Sequence, residues 1–119
     1  MKTLTILLAH GSSDPAWGET FIGLTQRACE REDTYLAFME LSSPSLEEIV
    51  SENAAKGYTH LCVLPLFLAK GRHLKVDIPK KLRHIESQHP LTTKLLPPIG
   101  EHPRLAEALN LILDETLDT

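Results

Sequence analysis

Two histidines stand where two apolar runs stop. Leu4-Thr5-Ile6-Leu7-Leu8-Ala9 ends at His10-Gly11-Ser12-Ser13-Asp14-Pro15. The stretch from Leu64 to Pro79, LPLFLAKGRHLKVDIP, begins apolar, breaks at Gly71, and presents Lys70, Arg72, His73 and Lys75 before a helix restarts near Asp77. Neutral imidazoles are donors to late divalent metals and can also take up protons near neutral pH. Two of them delivered by two strand ends make a metal-site arrangement, although two ligands alone do not name a metal. Glu40 lies near the end of a third apolar stretch, Tyr35 to Leu41.

For His10 and His73 to meet, both runs must be strands of one sheet. A continuous apolar run is typical of a strand buried on both faces, and a strand that hands over to a helix leaves its loop at the carboxyl edge, where open α/β folds bind ligands. The chain reads as four repeats of strand then helix. Strands are expected at Leu4–Ala9, Tyr35–Leu41, His60–Leu64 and Thr92–Leu96, with Pro65 ending the third because it cannot donate a ladder hydrogen bond. Asp14 as N-cap and Pro15 at the first position open a helix over 15–31, with Phe21, Leu24 and Ala28 facing the core and Trp17 bordering the cleft. Ser45 and Glu48 have capping-box spacing at the start of a helix that buries Leu46, Ile49, Val50 and Ala54 and stops at Gly57. Ile78, Leu82 and Ile85 mark the inner stripe of the third helix. Leu105, Ala108, Leu109, Ile112 and Leu113 mark that of the fourth, which opens at Pro103. Right-handed crossovers make this a three-layer α/β fold, a four-stranded parallel sheet with helices on both faces, and the expected strand order is 2-1-3-4. Its switch point falls between His10 and His73.

The 119 residues, 42% of them hydrophobic, fit one domain over 1–119. No apolar run approaches the roughly 20 residues of a membrane span, and the amino terminus has no secretory pattern, so a soluble cytoplasmic protein is expected. Cys29 and Cys62 lack metal-ligand spacing and read as reduced core residues. Twelve Lys and Arg against sixteen Asp and Glu give a net charge of -4, which argues against nucleic acid as a partner. Yet six basic residues, Lys70, Arg72, Lys75, Lys80, Lys81 and Arg83, crowd into one short stretch opposed only by Asp77, which suits an anionic ligand. Lys80, Lys81 and Arg83 fall off the Ile78/Leu82/Ile85 stripe and read as a solvated helix face. Gly11 and Gly71 read as relief for tight loops, and Ser12 as a local cap or a carboxylate contact. His60 belongs at the opposite sheet edge, His84 and His89 read as structural, and His102 as a helix-start residue.

Phosphate chemistry is excluded by pattern. There is neither G-x-x-x-x-G-K-[ST] nor a G-x-G-x-x-G after a strand, nor the acidic residues of a receiver domain. The residue before His10 is Ala9, where a histidine phosphatase has arginine. H-G-S-x-D-P after the first strand, E-L-x-x-P-S-L after the second and P-L-F-L-x-x-G-R-H-x-K-x-D-I-P after the third resemble instead the small, short-form sirohydrochlorin cobaltochelatases of cobalamin biosynthesis. The likeness runs over residues 4 to 79 and returns at Gly100 to Pro103. Ser13 departs from it, where the family commonly has arginine.

The resemblance implies ATP-independent insertion of Co²⁺ into sirohydrochlorin on a chelatase-type fold, with the metal ion as substrate and no other cofactor. It carries metal ligation onto His10 and His73 and implies a homodimer. Replacing two pyrrole protons by one divalent ion needs a proton acceptor beside the ring, a task for His10, His73 or Glu40. The ring's eight carboxylates give Lys70, Arg72, Lys75 and Ser12 a recognition role. Fe²⁺ or Ni²⁺ insertion is the alternative within the same class. A metal or tetrapyrrole carrier and a phosphate-binding module are the alternatives outside it.

Overall fold

The computed structural model describes residues 1–117. The strands are β1 (Thr3–Ala9), β2 (Thr34–Phe38), β3 (His60–Pro65) and β4 (Thr92–Leu95), and the helices α1 (Pro15–Thr25), α2 (Leu46–Asn53), α3 (Ile78–Gln88) and α4 (Pro103–Leu117). All strand pairs are parallel and the order is β2-β1-β3-β4, as expected. Leu7 pairs with both Leu36 and Leu64, which brings the carboxyl ends of β1, β2 and β3 to one edge.

The core lies on one face of the sheet. Leu4, Ile6 and Leu8 of β1, Ala37 and Met39, and Leu61 and Val63 of β3 pack against Leu46, Ile49 and Val50 of α2 and Leu74, Ile78, Leu82 and Ile85 around α3. The alternation of strand side chains sends Leu7, Ala9, Leu36, Phe38, Cys62 and Leu64 to the other face. There α1 lies along β2, since Ile22, Thr25 and Cys29 line a groove with Thr34, Leu36 and Phe38.

On this second face the expectations from periodicity need correcting. Helix α1 ends at Thr25, and Ala28–Glu30 is a separate 3₁₀ turn. Leu24 is 67% exposed, and Thr25 is the buried residue of α1. Trp17 stacks on Phe21 with ring centroids 4.4 Å apart rather than bordering a cleft. Helix α4 has no buried residue: Leu105 and Ala108 are half-buried, and Leu109, Ile112 and Leu113 are exposed. Periodicity marks an apolar stripe but cannot say whether the chain turns back far enough to bury it. Cys29 and Cys62 are free and half-buried, at the margin of the packed interior.

The capping expectations hold. The Asp14 carboxylate accepts from the Ala16 N–H, Ser45 Oγ accepts from the Glu48 N–H, and Gly57 takes the left-handed conformation. Helix α2 ends at Asn53 and a 3₁₀ turn, Ala54–Lys56, carries the chain to Gly57; Asn53 is buried where Ala54 was expected. At the amino edge of the sheet, the Tyr58 hydroxyl donates to the Asp33 carboxylate, and that bond, reinforced by burial, pushes the phenol up to about 12. Because the folded state holds this proton more tightly, its contribution to stability is present below the ordinary phenol value of 10.0 and fades as pH rises towards about 12. In an ultraviolet titration one of the two tyrosines should ionise late. Tyr58→Phe should remove the late component, and its persistence in that variant would refute the assignment.

Candidate metal centre

The centre is built where β1 and β2 run out. Past the strand ends, the Met39 N–H donates to Ala9 O at 2.9 Å and the Glu40 N–H to His10 O at 3.2 Å, so the two exit segments stay side by side. Gly11 lies between them with φ +104°, and a Cβ there would come within 1.7 Å of the Glu40 carbonyl oxygen. Only glycine satisfies both the backbone angle and the approach. Gly71 needs no such relief, since nothing lies within 4 Å of a Cβ at that position. The second steric requirement falls on Gly100, whose Cβ would meet Leu68 O at 1.6 Å.

His73 sits on regular structure, not in the loop read from sequence. Residues His73–Asp77 form a π-helical turn that runs directly into α3, with the Ile78 N–H returning to His73 O. Such wide turns recur at functional sites because they re-aim a side chain without ending the helix. His73 Nδ1 lies 2.8 Å from Asp77 Oδ2. A carboxylate can only accept, so Nδ1 carries the proton and Nε2 is left with its lone pair. At His10, Nδ1 lies 3.4 Å from the Gly11 carbonyl oxygen. His10 Nε2 is 3.4 Å from Glu40 Oε1, and the two imidazoles meet edge to face with centroids 4.7 Å apart.

One donor atom each from His10, Glu40 and His73 lies within 4.8 Å of the others. Two donors on one late divalent ion, each bonded at about 2.1 Å, can stand at most about 4.2 Å apart. With all three atoms within 4.8 Å, at most a small inward adjustment of these half-exposed side chains brings every pair under that limit. Two neutral nitrogens and one carboxylate leave coordination positions open. Sequence reasoning placed Glu40 as a proton acceptor; the structure adds it to the donor set.

A cleft of about 510 Å³ opens from this cluster between α2 and α3, lined by Met39, Glu40, Glu47, His73, Asp77, Lys80, Lys81 and His84. Asp77, Lys81 and His84 follow at helical spacing and share the flank of α3 beside its buried stripe. Lys80, Lys81 and His84 therefore border the cleft, Lys80 and His84 exposed and Lys81 half-buried. Lys81 Nζ is held 3.1 Å from Glu47 Oε2 across the cleft. Conversely, Lys70 and Lys75 line a different groove with Leu74, Leu95 and Leu96. Lys75 lies about half a turn round from His73, and Lys70 faces Glu101 at 3.8 Å. Arg72 is exposed at the residue before the π turn. None of these three lines the cleft. Ser12 Oγ accepts from the Asp14 N–H, a local loop role. His102 Nδ1 accepts from the Arg104 N–H at the start of α4, and His60 pairs with Thr59 at the far edge, both as expected.

The profile of the CbiX family matches residues 4–116. The chain belongs to the CbiX family. A sirohydrochlorin cobaltochelatase of Sulfurisphaera tokodaii is 32% identical over 94% of this chain and 92% of its own. A crystal structure described as a cobalamin (vitamin B12) biosynthesis CbiX protein, from Marinobacter aquaeolei VT8, superposes with a TM-score of 0.91 at 44% identity, over 98% of each chain. SirB from Bacillus subtilis, solved with Fe3+, shares the fold with a TM-score of 0.80 at 24% identity; 98% of this chain covers 48% of it.

Within this CbiX chain, Asp77 fixes the tautomer and direction of His73, a candidate metal donor, and losing such a partner from a metal ligand typically costs roughly 10- to 100-fold in metal affinity. Asp77→Asn should weaken Co²⁺ binding by about that factor in a titration followed by the ion's visible absorption. Unchanged affinity would show that the pair with His73 is incidental.

Proposed function

We propose that this protein inserts Co²⁺ into sirohydrochlorin without ATP, as a cytoplasmic, single-domain chelatase acting as a homodimer in cobalamin biosynthesis. The observation that carries the reading is the convergence of His10, Glu40 and His73 at the mouth of a cleft with cationic side chains on its wall, in a chain of the CbiX family. Its 32% identical relative named sirohydrochlorin cobaltochelatase supports the substrate pair. Among the described residues no helix is long and apolar enough to cross a membrane. The fold also recurs in a chain about twice as long, which supports the two-copy assembly.

In this reading the ion rests on His10 Nε2, His73 Nε2 and a Glu40 oxygen, with its remaining positions taken by water. The macrocycle approaches edge-on along the cleft, its carboxylates meeting Lys80, Lys81 and His84. The Lys81–Glu47 pair is a half-exposed surface ion pair, and such pairs contribute at most about 1 kcal/mol. Exchanging Glu47 for a substrate carboxylate therefore costs little, and meanwhile Glu47 keeps the ammonium aimed into the cleft. Binding energy gathered at the ring's rim can be spent on bending the ring, which exposes pyrrole lone pairs to the ion. As each Co–N(pyrrole) bond forms, a protein donor is displaced. Two pyrrole protons leave for the one ion that enters, and the displaced Glu40 and histidine groups are the acceptors within reach.

The test is the initial rate of Co²⁺ insertion, followed by the ring's absorbance change, against a control without protein and repeated with Fe²⁺ and Ni²⁺. Multiple turnovers fastest with Co²⁺ are expected. Faster turnover with Fe²⁺ or Ni²⁺ would move the enzyme to another branch, and stoichiometric binding without acceleration would make it a carrier. His10→Ala and His73→Ala should each lower the rate about 100-fold or more, whereas His60→Ala should not. Lys81→Ala should raise KM about tenfold, equivalent to ~1.4 kcal/mol, with kcat little changed.

A further inference from the structure

The strand exits that carry His10 and Glu40 are joined by more than the contact at Gly11. Beyond β2 the chain turns sharply at Leu41, which takes φ +63°, and the Ser42 N–H donates back to Glu40 O at 2.8 Å. A bond of that span across a residue of positive φ is the rarer, strained form of γ-turn. Such a conformation persists only where its surroundings enforce it. The Leu41 side chain is 71% exposed, so its own burial does not hold the turn.

Ser42 does. Its hydroxyl donates to Ser12 O at 2.8 Å and accepts from the Ser12 N–H at 3.1 Å. A hydroxyl has one proton to give and lone pairs to receive, so a single side chain meets both backbone groups of a residue 30 positions away. The Ser12 side chain takes no part, since its Oγ accepts from the Asp14 N–H. These bonds close a ring that contains two of the three metal donors. The ring runs from His10 through Gly11 to Ser12, crosses to Ser42, returns through Leu41 to Glu40, and is shut by the Glu40 N–H on His10 O at 3.2 Å. Gly11 and the Glu40 carbonyl touch across its middle.

The donors differ in what aims them. His73 is directed by Asp77, from α3. Among the described residues the Glu40 carboxylate has no protein partner except His10, 3.4 Å away. Its place is therefore set by its backbone, and its backbone is set by the ring.

We propose that Ser42 is a positioning residue of the metal centre, whose hydroxyl, clamped to the Ser12 backbone, fixes where Glu40 stands against His10 and thereby tunes affinity for the ion. This rests on the metal-insertion reading above and names the residue that holds one of its donors. Without the hydroxyl, the γ-turn loses the bonds that oppose its strain, and Leu41 relaxes and carries the Glu40 carboxylate away from His10. His73 stays in place.

The test is Co²⁺ affinity without tetrapyrrole, read from the ion's visible absorption, in a double-mutant cycle of Ser42→Ala and Glu40→Gln. Ser42→Ala should weaken binding about tenfold, the lower end of what losing a ligand's supporting partner costs, and should shift the absorption towards that of Glu40→Gln. In the Glu40→Gln background the same replacement should change affinity by less than about twofold, because the donor through which it acts is gone. Tyr58→Phe, which removes a hydrogen bond at the far edge of the sheet, should leave affinity unchanged and so separates a loosened fold from a misplaced donor. Parental affinity in Ser42→Ala, or an equal loss in both backgrounds, would overturn the clamp. A parent that binds no Co²⁺ would overturn it together with the donor set. Metallation is scored separately. Coupled variants of a protein that metallates nothing sink the chelatase reading alone, and full turnover with uncoupled variants sinks the clamp alone.

Discussion

The backbone of Gly11 presses against the carbonyl of Glu40, and the metal centre depends on that contact. β1 and β2 leave the sheet side by side, and the missing Cβ lets their exit segments close until His10 and Glu40 face one another. A wider approach would still leave a parallel sheet with a good core, but its two donors would no longer meet. The third donor arrives independently, from β3 through the π turn, and is aimed by its bond to Asp77. Three chain segments thus supply three donors. Only the packing of the sheet, with Leu7 between Leu36 and Leu64 in register, holds them to a common edge.

The same α3 that begins at the metal centre also forms a wall of the cleft. Its buried stripe, Ile78, Leu82 and Ile85, anchors it to the sheet, and this fixes the adjacent flank bearing Asp77, Lys81 and His84. Core packing and ligand recognition are therefore one rigid object. The pair between Lys81 and Glu47 bridges α3 and α2, the two helices that flank the opening.

Much of this was legible in the sequence because the deciding signals are local. The apolar runs, Asp14 and Ser45 as caps, Gly57 as a stop and Pro65 as a strand end each act within a few residues, and right-handed crossovers then make the sheet parallel. His10 and His73 follow from those strand ends. What could not be read depends on rotation and on distance. A π turn has no sequence signature, so the facing of Lys75 and Lys81 came out reversed. Being off a buried stripe reads as solvent when the neighbour is a helix far away in sequence, which is why the place of Lys80, Lys81 and His84 on the cleft wall was not read. The stripe of α4 was expected inside and is not buried, because periodicity marks an apolar face without saying whether the chain folds back onto it.

A carrier and a catalyst make opposite demands on the same three donors. Those of His10, Glu40 and His73 stand up to 4.8 Å apart on half-exposed side chains, and gripping an ion means drawing them inward. Whatever effort that takes is returned when the ion departs. A tighter, pre-closed cage would hold cobalt more firmly and become a trap, whereas slack in a donor set of this kind would keep a bound ion exchangeable. In such a protein, hoarding is the failure and letting go is the skill.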